Sequence, residues 1–343
     1  MEIDQRVDVL ALGVSSALQR EVEALTALKV EMDRHARGGM KKAYLDDWMD
    51  NAIYGAYWGD SVLYLVVPFL HWCPDEARPF QALVDPRYVL GASIDGLPEH
   101  VDSKEVAGRI EQYATPSESN SALYDWYRPL GILTAHEGKH RVAFMRAHGQ
   151  PAIAAQICER DYPAADRLVL IKPDDERDEW LAILDGRYVQ VLRRPQVSAR
   201  LLTAYGVKVK RWREVPGLPS EWHIRRDIDA RRLHKRSGST RESERTLDLE
   251  QVRKQYEEDT EQVRVGVMDI EPYRWDLWRY LIAGAAVSVL GLMMLSFKHD
   301  VVRTVGAILM GGGLGLMLGP GWMRFVGPRT IHVDGHRVVR RRR

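Results

Sequence analysis

The stretch Ile132-Leu-Thr-Ala-His-Glu-Gly-Lys-His-Arg-Val-Ala-Phe-Met-Arg-Ala-His-Gly149 decides how this chain is read. Its first residues form an apolar run of strand length, and the residues from His140 to Ala147 follow helical spacing. Gly138 stands between the two, and Gly149 terminates the helix. A strand that turns through glycine into a helix leaves the helix's first amides without backbone partners. Those amides, with the positive end of the helix dipole, suit a phosphate. Lys139, His140 and Arg141 add cationic or protonatable side chains at the same turn, and Glu137 adds a carboxylate.

Working outward, Ala152–Ile157 reads as the next strand and Ala82–Leu90 as an earlier one, with a turn at Asp85-Pro86. Ser103–Tyr113 is an amphipathic helix with a cap signal in Val101-Asp102-Ser103. Farther along, 168–171, 188–192 and 207–212 read as strands, and Arg200–Tyr205 as a short helix ending at Gly206. Val7–Met32 has helical spacing broken by the polar stretch 34–42, and Ala43–Trp58 resumes a helical pattern. Val62–Leu70 is a buried strand or a core helix, too short to cross a bilayer.

The C-terminal part is of another kind. Leu281–Phe297 and Thr304–Met323 are uncharged runs of 17 and 20 residues separated by a short polar link. Each falls in the range of roughly 17–25 residues that spans a hydrocarbon core, so the pair is expected to form a transmembrane hairpin. Tyr273, Trp275, Trp278 and Tyr280 precede it, and Trp322 and Phe325 follow it, as an aromatic belt on one leaflet requires. Arg279, Arg324 and the tail Arg340-Arg-Arg-Arg343 place both termini in the cytoplasm of a bacterial-type cell. Gly311, Gly315 and Gly319 recur at helical spacing. They would either drive homo-oligomers in lipid or pack on the first helix of the same chain.

Residues 130–157 resemble the phosphate-binding segment of the ParB/sulfiredoxin superfamily, through Gly138-x-His140-Arg141, the preceding strand, the acid Glu137, the helix and Gly149. The resemblance is close there and looser over 80–160. It implies a domain that binds a nucleotide or another phosphorylated ligand, with Mg²⁺ as companion ion. Gly138 would admit the phosphates, Lys139, His140 and Arg141 would hold their oxygens, and Glu137 and His140 would be the catalytic pair if phosphoryl transfer or hydrolysis follows. Lys139 stands where sulfiredoxin has its reactive cysteine, which argues against thiol-based repair. His140-Arg141 also departs from the arginine pair of the partition proteins.

Two other sets bear on function. Arg225, Arg226, Arg231 and Arg232 form a basic run suited to DNA or anionic lipid. Through it the chain would be a non-catalytic, partition-type adaptor that tethers DNA to the membrane. A membrane scaffold is the remaining alternative. His71 with Cys73 has no second pair of ligands at suitable spacing; the acid clusters 174–176 and 257–259 could hold a divalent ion but read rather as a solvated face or a helix start, so no metal centre is expected. The net charge of +1 names no partner, and two cysteines make no disulfide framework. The expected architecture is therefore an α/β (α+β) cytoplasmic region with a helical N-terminal part and two C-terminal transmembrane helices. Its segments are 1–75 helical, 76–160 ParB/sulfiredoxin-like, 161–222 small α/β, 223–272 a charged, exposed helix or linker, 273–326 hairpin and 327–343 basic tail.

Overall fold

The computed structural model describes residues 9–37, 48, 58–73, 78–91, 101–117, 122–235, 241–266, 277–322, 324–328, 330–333 and 336–339. It divides into two compact units, 1–250 and 251–343. The helical pattern expected at 43–58 lies outside the described residues, apart from Trp48 and Trp58.

The first unit opens with α1 (Ser16–Arg37) and α2 (Gly59–Val66). Helix α1 begins nine residues later than the apolar spacing alone suggests. Val9 instead bridges to Leu83, and Gly13 turns the chain with a left-handed φ of 68°. The Ser15 hydroxyl then accepts the Leu18 amide at 3.2 Å, satisfying one of the helix's orphan donors.

There follow β1 (Phe80–Val84), β2 (Val89–Leu90), α3 (Ser103–Ala114), β3 (Ala122–Tyr127), β4 (Ile132–Glu137), α4 (Lys139–Ala147) and β5 (Ile153–Arg160). The Asp102 side chain caps α3 by accepting the Lys104 amide at 3.0 Å. The strands make one mixed sheet in the order β1-β5-β3-β4-β2. Strand β3 pairs parallel with β5 and antiparallel with β4, which pairs parallel with β2. Both faces of this sheet are covered. Ile132 faces the cluster built by Leu18, Val22, Val62 and Leu63 of α1 and α2, whereas Leu133 and Ala135 face Val142 and Met145 of α4. That explains the unbroken apolar run in β4, since a strand buried on both sides loses the alternation of a half-exposed one.

A second mixed sheet comprises β6 (Leu168–Ile171), β7 (Leu181–Leu184), β8 (Tyr188–Val191), β9 (Lys208–Lys210) and β10 (Leu247–Asp248), in the order β10-β8-β7-β6-β9. Around it are α5 (Pro195–Tyr205), α6 (Glu221–Ala230) and the short α7 (Glu242–Arg245). Sequence patterning found β6 and β8 but missed β7 and β3. The stretch 243–248, expected as exposed helix or linker, is partly buried instead. Gln190 donates to Glu242 at 2.7 Å and to Thr246 at 2.8 Å, Tyr64 donates to Glu242 at 3.0 Å, and Arg245 lies 4.1 Å over the Tyr64 ring.

The second unit begins within α8 (Leu249–Thr260), followed by β11 (Gln262–Gly266), α9 (Leu277–Met294), α10 (Asp300–Trp322), β12 (Arg324–Pro328), β13 (Thr330–Val333) and β14 (His336–Val339). Strand β11 pairs with β12, so the chain enters and leaves the helical hairpin at one end. Strands β13 and β14 pair antiparallel, with Val333 opposite His336.

Of the two runs expected to span a bilayer, one meets the requirement: 300–319, within α10, is long and apolar enough. The apolar part of α9, 278–294, has 17 residues, about 26 Å at 1.5 Å each, slightly less than the ~30 Å core. The two pack through glycines. A Cβ on Gly313 would stand 2.2 Å from Ser288 Oγ, and one on Gly291 would stand 2.4 Å from the Met310 amide. A Cβ on Gly311, Gly315 or Gly319 would meet nothing within 4 Å among the described residues. The stripe therefore does not pack on α9, which removes one of the two roles considered for it.

Candidate functional site

The turn from β4 into α4 is fixed by packing as well as by conformation. Residues 132–135 of β4 are buried, and His136 and Glu137 project from its exposed end. Gly138 follows with φ 78° and ψ 20°, a left-handed conformation in which a Cβ is strained. A Cβ there would also lie 2.7 Å from the Ala122 Cβ on β3. Glycine is therefore required twice over.

Gly138 is the N-cap of α4 and supplies no side-chain acceptor. The Arg141 amide donates to the Gly138 carbonyl at 3.0 Å. Ahead of it, the helix's leading amides lie at the positive end of the helix dipole. Two neighbours define this end of the helix. A Cβ on Gly91, just after β2, would be 2.9 Å from the Lys139 carbonyl, and one on Gly59, at the start of α2, would be 2.1 Å from the Leu90 carbonyl. The first turns of α2 and α4 thus both rest on the Leu90–Gly91 peptide, bringing two positive helix ends close together.

The side chains spread from this turn. Lys139 Nζ sits 3.2 Å over the Trp58 ring, and the Arg141 guanidinium sits 4.9 Å over the Tyr113 ring. Two positions apart on a helix, they leave its axis about 200° from one another. His140, between them, is exposed, as is Glu137; Arg141 is half-buried. The structure therefore gathers Glu137, Gly138, Lys139, His140 and Arg141 in one turn, without bringing the Lys139 and Arg141 charges to a point. Each is parked on an aromatic ring. Such a contact is worth about 0.5–1 kcal/mol at an exposed site. A hydrogen bond to a charged group is worth roughly 1.5–3 kcal/mol. An anion at the turn would outbid the rings for either side chain.

Trp58, Tyr113 and Tyr124 escaped the sequence reading because they are far from the glycine in the chain. Tyr124, on β3, is fully buried, and its hydroxyl has no hydrogen-bond partner among the described residues. Burial holds its phenol well above the ordinary value, and the charges of Arg141 and Arg146 pull the other way. Arg146 donates to the Val89 carbonyl at 3.0 Å. Burial pushes its guanidinium down to about 10, partly opposed by Asp85 and Asp33.

The basic run is placed differently from a free cationic face. Arg225 on α6 holds Glu221 at 2.6 Å, the Glu179 carbonyl at 3.1 Å and Asp178 at 3.4 Å. Arg226 lies 5.1 Å over the Trp222 ring and 3.7 Å from Asp227. Arg231 and Arg232 are exposed. Elsewhere, His71 stacks on Tyr64 at 5.3 Å, and Asp174 pairs with Arg211 at 2.7 Å.

Compared with known proteins, the chain matches no family, no curated protein and no solved structure.

Proposed function

We propose that this is a membrane-anchored protein whose residues 76–160 form a ParB/sulfiredoxin-like domain, binding a nucleotide or another phosphorylated ligand at the Gly138 turn. The observation that carries the reading is the left-handed N-cap at Gly138, which starts α4 without a side-chain cap on its first amides, beside Lys139, His140 and Arg141. In this reading the amides and His140 take the terminal phosphate. Lys139 and Arg141 swing from Trp58 and Tyr113 to flank it, with Arg141 offering the planar fork that fits phosphate oxygens. Glu137, exposed at the end of β4, would hold Mg²⁺ or orient a water if the ligand turns over.

The anchor rests on α10 and on the apolar surface of the second unit. Phe297, Val301, Ile308 and Leu318 are each more than three-fifths exposed, a pattern that suits lipid rather than water. Pairing of β11 with β12 at the base of the hairpin supports insertion from one side, with both termini cytoplasmic. The open face of Gly311, Gly315 and Gly319 favours self-association in the bilayer. The DNA-adaptor alternative is less favoured, because Arg225 is committed to carboxylates of its own chain.

The test is thermal unfolding of the full-length protein in detergent with ATP, GTP and CTP, each with and without Mg²⁺. Ligand at 100 times its Kd should add about 2.7 kcal/mol and raise Tm by about 5 °C or more. Arg141→Ala should abolish the rise. A rise that persists in Arg141→Ala, or no rise with any of the three, would contradict the proposal.

A further inference from the structure

We propose that Glu179, Asp229 and His234 form a site for a divalent transition-metal ion, separate from the Gly138 turn. The three residues come from distant parts of the chain. Glu179 lies just before β7, Asp229 in the last turn of α6, and His234 in a 3-10 turn, Leu233–Lys235. Between the last two, Arg232 takes a left-handed φ of 53°, and its amide donates to the Asp229 carbonyl at 2.9 Å. This reversal, with Leu233 buried beneath it, returns His234 to the end of the helix it has just left.

One ligand atom from each of the three residues lies within 4.8 Å of the other two. His234 Nδ1 is buried from solvent and has no hydrogen-bond partner among the described residues. It stands 3.7 Å from Asp229 Oδ1. That is too long for a hydrogen bond. It is close to the ~3.4 Å between two atoms that share one ion at about 2.1 Å in tetrahedral geometry. A buried ring nitrogen without a partner carries a desolvation cost that an ion would remove.

The surrounding charge favours a cation. Arg225 Nη1 approaches Glu179 Oε2 at 3.9 Å, but that guanidinium is already held by Glu221 and Asp178. Three carboxylates, those of Glu179, Glu221 and Asp178, thus share the one Arg225 guanidinium. Imidazole with two carboxylates selects Zn²⁺, Mn²⁺, Co²⁺ or Ni²⁺ over Mg²⁺ and Ca²⁺, which take all-oxygen sets. The Asp229 side chain is 70% exposed, so water can fill the remaining coordination positions.

The experiment uses full-length, chelator-treated and tag-free protein, titrated with Mn²⁺ and with Zn²⁺. One equivalent should bind more tightly than all others. Broadening of the His234 ring resonances by Mn²⁺ should track its binding. His234→Ala and Asp229→Asn should each weaken that equivalent by about 100-fold or more, while Arg141→Ala leaves it unchanged. Asp229→Asn is the safer variant for folding, given its exposure, and circular dichroism checks both. Equal affinity in wild type and His234→Ala, absence of a tight equivalent, or displacement of Mn²⁺ by equimolar Mg²⁺ would overturn the assignment.

Discussion

Replacing Gly138 with alanine separates the two demands placed on the turn. The left-handed φ of 78° costs a Cβ-bearing residue roughly 1–2 kcal/mol. The new methyl would also lie 2.7 Å from the Ala122 Cβ. Relief of such a contact by backbone and side-chain shifts costs typically about 1–3 kcal/mol. Gly138→Ala should therefore destabilise the protein by about 2–5 kcal/mol. Gly149 gives an internal control, because it has φ 61° but nothing within 4 Å of an added Cβ. Gly149→Ala should cost only the conformational part, about 1–2 kcal/mol.

A double-mutant cycle then isolates the contact. Relative to Ala122→Gly alone, adding Gly138→Ala should cost only about 1–2 kcal/mol, since the opposing methyl is gone. Urea unfolding of the full-length protein, followed by tryptophan fluorescence, measures all four species. Should Gly138→Ala cost no more than Gly149→Ala, or should the cycle show no coupling, the close approach of Ala122 to the turn would be refuted.

Other expectations follow from burial and packing. The Tyr64 phenol is raised from 10.0 to about 12, chiefly by burial, so the folded state favours its neutral form. Its stabilising contribution is complete below pH 10 and lost as pH rises from 10 to 12. Unfolding free energy measured across that range should fall, and Tyr64→Phe should flatten the decline; an unchanged decline would contradict the role. In the hairpin, Gly291→Leu should separate α9 from α10 because of its contact with Met310, whereas Gly315→Ile should leave the helix pair intact and disperse detergent-resistant oligomers. Cysteine cross-linking between α9 and α10, with sedimentation, tells these outcomes apart. Oligomers that survive Gly315→Ile would remove the stripe from the interface.

The legible part of the sequence was local. Gly138 and Gly149 bracket a helix whose start and stop follow from glycine's access to left-handed backbone, and Asp102 caps α3 through its own side chain. Such signals lie within a few residues of what they control. Strand β3 escaped because Ala122–Tyr127 mixes aromatic residues with Asp125, and its place is set by β4 and β5 on either side. The segment 243–248 read as exposed because charge dominates its composition; Glu242, Arg245 and Thr246 are held by Tyr64 and Gln190, far away in the chain. The candidate site divides the same way. Its backbone and cations are contiguous and were found, whereas Trp58 and Tyr113 reach it through the fold. His234 meets Glu179 across more than fifty residues, which no spacing rule encodes.

In the proposed site the first amides of α4 receive an anion. Amide-resolved ¹⁵N NMR of the full-length protein, titrated with pyrophosphate and with ATP, tests it most directly. Saturable shifts confined to 138–142, weakened at least tenfold by Arg141→Ala and unchanged by Arg231→Ala with Arg232→Ala, are the expected result. Shifts centred on 221–235 instead, or none around Gly138 at millimolar ligand, would contradict it.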